Sequence, residues 1–198
     1  MDALDSQLRF ILEADKLKNV LRQTPLCDGS RRENSAEHSW HLALMAIVLG
    51  KHAPPGTDLG RVVAMVLLHD LVEIDAGDLY VYAGEEAQRR QAAAERAAAG
   101  RLFGLLPPDQ AAALRALWEE FEERRTPEAR FGRALDRLQP ILLNFSSGGE
   151  SWRSHGITAD QVLAKATLIE DGSAALGEYA RTLIGDAVAR GYLAPAEP

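Results

Sequence analysis

An apolar segment that ends in three polar side chains constrains this sequence most. Residues 62–72 read Val-Val-Ala-Met-Val-Leu-Leu-His-Asp-Leu-Val, and Glu73 follows directly. A helix would bring His69, Asp70 and Glu73 close together, because Glu73 comes one helical turn after the other two. Burying an adjacent His-Asp pair is unfavourable unless a metal ion or a hydrogen-bonding partner compensates for it. The segment is therefore either a helix that emerges from the core or a helix that carries chemistry.

The composition is that of a globular protein with an acidic surface. The 198 residues are 46% hydrophobic and 26% charged, which suits one domain with a single well-buried core. A formal net charge of -7 argues against a general electrostatic grip on a nucleic acid polymer. A small anionic substrate is still compatible with this charge, because a metal ion or an arginine cluster can dominate locally.

The expected location is the cytoplasm. Cys27 is the one cysteine of the chain, so no internal disulfide can form. The first residues, Met1-Asp2-Ala3-Leu4-Asp5, are acidic where a secretory signal would be basic. No apolar run approaches the ~18 residues that a membrane span needs. We therefore expect no membrane association.

Helical periodicity and helix-breaking residues predict an all-α chain that forms a single domain over 1–198. No convincing alternating strand pattern is present, and 23–34 and 145–157 are predicted as loops. Thr126-Pro127 should open a helix, and Gly77 permits a turn with positive φ. The predicted helices cover about 3–22, 35–51, 58–74, 85–104, 108–125, 127–146 and 158–191, the last one broken near Asp171-Gly172. The metal-site core would cover about 15–140, with C-terminal helices at about 158–191.

A short list of side chains could carry chemistry. It contains the histidines at 38, 41, 52, 69 and 155 and the acids within apolar helices at Asp70, Glu73 and Asp136. The plainer interpretation of Asp136 is an ion pair with Arg133 or Arg137. Helical spacing alone does not show that residues so distant in sequence meet.

The order of four motifs points to a known family. Glu37-His38-Ser39-Trp40 is followed by Leu68-His69-Asp70-Leu71-Val72-Glu73, then by Gly77-Asp78, then by Leu135-Asp136-Arg137. This order resembles the HD superfamily of metal-dependent phosphohydrolases, in particular the branch that contains bacterial 5′-deoxynucleotidases. The likeness covers most of the chain from Asp15 through Asp136 and implies an HD-type helical bundle.

The resemblance implies that His38, His69, Asp70 and Asp136 bind one divalent metal ion. Two imidazoles and two carboxylates suit Mn, Co, Fe or Zn, whereas the histidines make Mg less favoured. Four protein ligands leave positions on a six-coordinate ion for water and a phosphate oxygen. His41 has no place in the matched set, and we expect it to be a neighbour of the site or a packing residue.

Three further roles follow from the same resemblance. Glu73 matches the catalytic acid that orients the attacking water or assists its deprotonation. Asp78 matches an acid that contacts the sugar hydroxyl, and Arg31 matches an arginine that we expect to contact phosphate, since a guanidinium can grip phosphate oxygens in pairs.

The sequence departs from the bacterial nucleotidases at Gln23 and Thr24, which stand where those enzymes carry an Arg-Trp pair for phosphate and base contact. Arg22 or Arg32 could replace the arginine, but the sequence offers no evident replacement for the aromatic residue. The expected function is hydrolysis of (deoxy)nucleoside 5′-monophosphates to nucleoside and phosphate. The alternatives are a phosphatase for another phosphorylated metabolite or a diester, and a non-catalytic sensor that binds metal and nucleotide. The expected partner is a small phosphate ester, and a homodimer is compatible with the apolar last helices.

Overall fold

Helices dominate the computed structural model, which describes residues 2–196. The predicted all-α class is confirmed, and the chain forms a helical bundle. The helices are α1 (Ala3–Ala14), α2 (Ser35–Leu49), α3 (Leu59–Leu68), α4 (Glu73–Ala76), α5 (Glu85–Phe103), α6 (Pro108–Glu123), α7 (Pro127–Ser146), α8 (Glu150–Ser154), α9 (Ala159–Gly172) and α10 (Ala174–Ala189). Met1 and positions 197 and 198, the two ends of the predicted domain, lie outside the described residues. The extent of the domain over 1–198 stays a prediction.

A short antiparallel hairpin occupies part of the segment that was predicted as a loop. It consists of β1 (Leu21–Pro25) and β2 (Arg32–Asn34), with Leu21 opposite Asn34. The first helix is correspondingly shorter than predicted, because α1 ends at Ala14 and a 3₁₀ turn follows it. A strand of three residues is too short to show the alternation by which strands are recognised in a sequence.

Helix α2 begins with a capping box. The Asn34 side chain accepts a hydrogen bond from the Glu37 backbone N–H at 3.0 Å, and the Glu37 carboxylate accepts one from the Asn34 N–H at 3.1 Å. The N-cap is therefore Asn34, whereas the sequence made Ser35 the plausible one. Ser35 starts the helix instead, and its hydroxyl is available for another partner.

The periodicity predicted one continuous α-helix over about 58–74, and this prediction is wrong for the part that carries His69 and Asp70. Helix α3 ends at Leu68, a 3₁₀ turn covers His69–Val72, and α4 follows. Gly77 then adopts a φ of 75°, which confirms the predicted turn. A 3₁₀ stretch between two helical segments often marks a hinge or a sequence under strain.

The C-terminal half follows the prediction with one difference. The Thr126 side chain caps α7 as expected, and Pro140 lies within that helix. The predicted loop at 145–157 contains the short helix α8, which buries Trp152. The last two helices, α9 and α10, are separated at Ser173, next to the predicted break.

Two hydrophobic clusters form the interior. One joins α2, α3, α7, α9 and α10, and the other joins α1, α5 and the 3₁₀ turn after α3. Met65 and Val66 belong to the first cluster, whereas Leu71 and Val72 belong to the second. The His-Asp pair therefore lies where the chain passes from one cluster to the other. None of the described helices is both long enough and apolar enough to span a membrane.

Candidate metal centre

The four predicted metal ligands converge from three elements. His38 comes from the start of α2, His69 and Asp70 from the 3₁₀ turn after α3, and Asp136 from the middle of α7. Each of His38, His69 and Asp136 offers a ligand atom within 4.8 Å of those of the other two. Asp70 lies beside them, with its Oδ1 at 2.9 Å from His69 Nε2. All four side chains are buried.

Both histidines are oriented so that Nε2 faces this cluster. His38 Nδ1 lies 3.1 Å from Gln139 Oε1, and His69 Nδ1 lies 2.8 Å from the Val66 carbonyl oxygen. These acceptors require Nδ1 to carry the proton, which leaves Nε2 with a lone pair for a metal ion. Among residues 2–196, His69 Nε2 is a buried nitrogen whose contact with Asp70 Oδ1, at 2.9 Å, lacks hydrogen-bond geometry. The donor set and this unsatisfied atom fit a divalent ion of the transition series.

A polar network supports His38 from behind. Gln139, fully buried on α7, donates from Nε2 to Glu33 Oε2 at 2.7 Å while its Oε1 faces the His38 ring. His41 Nδ1 lies 3.3 Å from the same Gln139 amide nitrogen. His41 is therefore a neighbour of the ligand network, in line with the sequence expectation. Neither Glu33 nor Gln139 was singled out from the sequence, because partners this distant in the chain meet only in the fold.

The charges of the cluster favour deprotonated carboxylates. Burial would raise the pKa of Asp136, but Arg137, the hydrogen bond to His38 and Arg133 outweigh it and hold that pKa well below its usual range. The pKa of Asp70 is likewise lowered, since His69 and Arg22 outweigh burial. Burial and Arg22 act to lower the pKa of His38, yet Asp136, Glu33 and Asp70 raise it to about 9. His38 must therefore release a proton when a metal ion binds.

Glu73 is buried and follows the ligands His69 and Asp70 by about one helical turn. Its Oε2 accepts a hydrogen bond from the Ser35 hydroxyl at 2.6 Å, so Oε1 is the oxygen free to face the cavity. Burial and the nearby charge of Asp70 raise the pKa of the Glu73 carboxyl well above its ordinary value. A carboxyl group with a raised pKa beside a metal site is suited to proton transfer.

Arg22 links the carboxylates of this region. Its Nη1 lies 3.0 Å from Asp70 Oδ2, 3.5 Å from Asp78 Oδ1 and 3.9 Å from Glu73 Oε1. Its Nε lies 3.3 Å from Glu33 Oε1. Burial would lower the pKa of Arg22, but the carboxylates of Asp70, Glu73 and Asp78 outweigh it and raise that pKa, so the guanidinium stays charged.

The structure places the two predicted substrate-binding residues differently. Asp78 lines the cavity beside Arg22, and burial raises the pKa of its carboxyl. Arg31 lies on the exterior, where it donates to both carboxylate oxygens of Glu37 and is not part of the cavity wall. A phosphate contact by Arg31 stays a prediction that this arrangement does not favour. Arg22, which the sequence offered as a replacement arginine, is the one that reaches the cluster.

A cavity of about 340 Å³ opens above the cluster and is lined by Asp70, Glu73, Asp78 and Asp136. Gln23 and Thr24 also line it, as do the aromatic side chains of Tyr80, Tyr82 and Trp152. The cavity therefore has an aromatic wall that the sequence did not reveal, because its residues come from a loop and from α8. Arg133, Arg137 and Lys165 line the cavity too, and Lys165 Nζ lies 5.5 Å from the centre of the Tyr82 ring. Burial and the nearby charge of Arg133 lower the pKa of Arg137 to about 10.

Comparison with known proteins gives the family of this chain. The HD domain family matches residues 14–176, which include all four proposed ligands. This chain belongs to the HD domain family. A human protein named 5′-deoxynucleotidase HDDC2 is 32% identical over 141 residues, covering 69% of this chain and 66% of the human protein. The Xenopus laevis protein of the same name is 30% identical over 141 residues, covering 69% of this chain and 67% of its own length. The chain thus spans just under two thirds of the human relative.

Solved structures share the fold. A predicted metal-dependent phosphohydrolase from Magnetospirillum magnetotacticum is 54% identical, with a TM-score of 0.91 over 98% of this chain and 99% of that one. An HD-domain phosphohydrolase from Listeria innocua is 19% identical, with a TM-score of 0.70 over 91% of this chain and 89% of that one. At that identity the second likeness concerns the fold alone. The predicted HD-type helical bundle is confirmed.

Proposed function

We propose that this protein is a metal-dependent phosphomonoesterase that hydrolyses (deoxy)nucleoside 5′-monophosphates to nucleoside and phosphate. The observation that carries the proposal is the meeting of His38, His69, Asp70 and Asp136. All but the fully buried His38 line a cavity that Glu73 lines as well. The names of the human and Magnetospirillum relatives support the same class of reaction. Their identities to this chain support the family more strongly than they support one substrate.

The four ligands would hold one divalent ion, with Mn, Co, Fe or Zn suited to the two imidazoles and Mg less so. Such an ion supplies a Lewis acid that polarises a phosphoryl group and lowers the pKa of water. The ligand carboxylates are ready for this role because their pKa values are depressed. Gln139 and the Val66 carbonyl fix the two rings with Nε2 turned inward.

Glu73 is the proposed catalytic acid/base residue. Ser35 holds its Oε2, so Oε1 is the atom that would accept a proton from the attacking water. The raised pKa of the Glu73 carboxyl brings it closer to the range in which a group both takes up and releases protons. The same group could then return that proton to the leaving oxygen of the nucleoside.

Substrate contacts are assigned to the cavity wall. Arg22 carries a charged guanidinium next to Asp70 and would neutralise phosphate oxygens. Asp78 would accept a hydrogen bond from a sugar hydroxyl. Tyr80, Tyr82 and Trp152 supply flat apolar surface for a base, in place of the aromatic residue missing at Thr24.

Phosphate release is the deciding assay. The protein is treated with a chelator, reloaded with Mn or Co, and given a panel of ribo- and deoxyribonucleoside 5′-monophosphates. Release from at least one of them, dependent on added metal, is expected. No release from any nucleotide by protein that demonstrably binds the metal would refute the proposal.

A second candidate keeps the metal centre and changes the substrate to another phosphorylated metabolite. The observations that favour it are Gln23 and Thr24 in the cavity wall and the three basic side chains of α7 and α9. A broad phosphate-ester screen separates the two candidates. The homodimer and the cytoplasmic location remain predictions.

A further inference from the structure

Three basic side chains form one wall of the cavity, which we call the basic wall: Arg133, Arg137 and Lys165. Arg133 and Arg137 stand one turn apart on α7, so they share a helix face. Lys165 comes from α9, which packs along α7. The basic wall is therefore built by tertiary packing, in a chain whose formal net charge is -7.

Within the described residues, the basic wall has more positive charge than its acidic neighbours neutralise. Arg133 Nη1 donates to Asp136 Oδ2 at 3.0 Å, and Arg137 Nε lies 3.8 Å from the same oxygen. The other Asp136 oxygen lies 3.2 Å from His38 Nε2, on the metal side. One carboxylate oxygen thus serves two guanidinium groups.

Several donors of the basic wall also lack acceptors. Over residues 2–196, Nε of Arg133 and Nε of Arg137 are buried without a hydrogen bond. Lys165 Nζ lies 5.5 Å from the centre of the Tyr82 ring, and no carboxylate of the described chain lies within ion-pair distance of it. Buried guanidinium donors normally have partners, and carboxylate or phosphate groups match their planar geometry best because each can accept two hydrogen bonds.

The other charged side chains of the cavity do not supply the acceptors that the basic wall lacks. Arg124 and Glu122 line the cavity 3.9 Å apart and offset each other. Glu95 lines it as well, but within the described chain its carboxylate forms no ion pair with Arg133, Arg137 or Lys165. Arg22 lies by Asp70 and Asp78, where it can serve the phosphate that is hydrolysed.

We propose that Arg133, Arg137 and Lys165 form a second anion subsite, so that the preferred substrate is a phosphate monoester with a carboxylate or a second phosphate remote from the reacting phosphate. This inference rests on the proposed phosphomonoesterase activity and, within it, favours phosphorylated metabolites or nucleotides with a second anion over nucleotides that carry a single phosphate. The basic wall would bind the remote anion while the metal ligands and Glu73 act on the ester.

Matched substrate pairs test the subsite. Uridine and orotidine 5′-monophosphates differ by one carboxylate, and fructose 6-phosphate and fructose 1,6-bisphosphate differ by one phosphate. For the metal-loaded protein we expect kcat/KM to be at least tenfold higher for the member with the extra anion in at least one pair. The pair that responds tells whether the remote anion is a carboxylate or a phosphate.

Variants assign the preference to residues. Lys165→Met and Arg137→Gln should each lower the kcat/KM ratio of the preferred pair at least tenfold. Arg130→Gln is the matched control, because Arg130 lies on the same helix, pairs with Asp171 at 3.8 Å and is not part of the cavity wall. Its ratio should equal that of the wild type. Metal content is measured for every variant. If Arg137→Gln has lost metal, the result for Lys165→Met alone is used to judge the subsite.

The outcomes separate this inference from the function on which it rests. Hydrolysis of monophosphates without any gain from a second anion, or an unchanged ratio in Lys165→Met, would overturn the subsite and leave the phosphomonoesterase intact. An equal loss for both members of a pair in Arg137→Gln would place that residue at the reacting phosphate instead. If no ester is hydrolysed, calorimetry still tests the subsite: orotidine 5′-monophosphate should bind at least tenfold tighter than uridine 5′-monophosphate, and Lys165→Met should remove the difference.

Discussion

At the scale of single residues, the neighbours of Glu73 set the pKa and the orientation of its carboxyl group. Ser35 binds one of its carboxylate oxygens, Arg22 Nη1 lies 3.9 Å from the other, and burial raises its pKa. Because the site needs a group that moves a proton, Glu73→Gln should lower kcat by ~10²-fold or more while metal content stays at the wild-type level. Phosphate release and metal analysis on the same sample measure both. An unchanged kcat would contradict the assignment of Glu73 as the catalytic acid/base residue.

Gln139 supports the proposed ligand His38, a role that was not expected from the sequence. It is fully buried and joins the His38 ring to Glu33 through its two amide atoms. Gln139→Ala should weaken metal binding about 10- to 100-fold, since His38 would lose the contact that fixes its tautomer and orientation. Competition with a fluorescent chelator gives the dissociation constant. Gln110→Ala is the control. Gln110 lies at an exposed position on α6 and accepts a hydrogen bond from Gln7, so its substitution should leave the dissociation constant unchanged.

At the scale of elements, α9 packs tightly against α7, the helix that carries Asp136. A Cβ on Gly172, the last residue of α9, would meet the Arg130 carbonyl oxygen and would lie 2.8 Å from Ala134 Cβ. Gly172→Ala should therefore lower the free energy of unfolding by about 1–3 kcal/mol. Urea denaturation monitored by circular dichroism measures the change.

Gly185 on α10 provides the matched control for that substitution. A Cβ there has no neighbour within 4 Å, so Gly185→Ala should raise the free energy of unfolding by up to ~1 kcal/mol through helix propensity alone. If both alanines had the same effect, the close approach of α9 to α7 would not explain the glycine at 172.

The long helices could be predicted from the sequence, whereas the short elements could not. Thr126-Pro127 and the break near Gly172 are local signals, and the chain follows them. The strands β1 and β2, the 3₁₀ turn at His69–Val72 and α8 are each five residues or fewer. Elements of that length carry little periodicity, so packing against the helices decides them.

At the scale of the whole molecule, metal and protons compete for the buried site. The pKa of His38 is raised from 6.5 to about 9, so the charged ring stabilises the metal-free fold. That contribution is complete below pH 6.5 and is lost as the pH rises through about 9. Chelator-treated protein should therefore unfold at lower urea concentration at pH 9 than at pH 6.5, while the metal-loaded protein should lack this loss.

The same competition predicts the pH dependence of metal binding. A bound metal ion requires neutral His38, so affinity should rise with pH over this window as one proton is released. Titrations of the chelator-treated protein in buffers of different ionisation enthalpy count that proton. A metal affinity that falls or stays constant over the window would contradict the assignment of His38 as a ligand.

The sequence by itself determined the all-α class and the main helices through its helical periodicity. It also determined the family to which the chain belongs, because the His38, His69-Asp70 and Asp136 motifs occur along it in the order typical of that family. Only the tertiary structure decided which side chains serve these motifs. Ser35 beside Glu73, Gln139 behind His38 and Arg22 among the carboxylates meet across 38, 101 and 48 residues of chain. Arg31 illustrates the converse, since its place in the motif predicted a phosphate contact but the fold pairs it with Glu37. Local sequence encodes helices and ligand types, whereas long-range packing brings together the groups that orient, charge and surround the ligands.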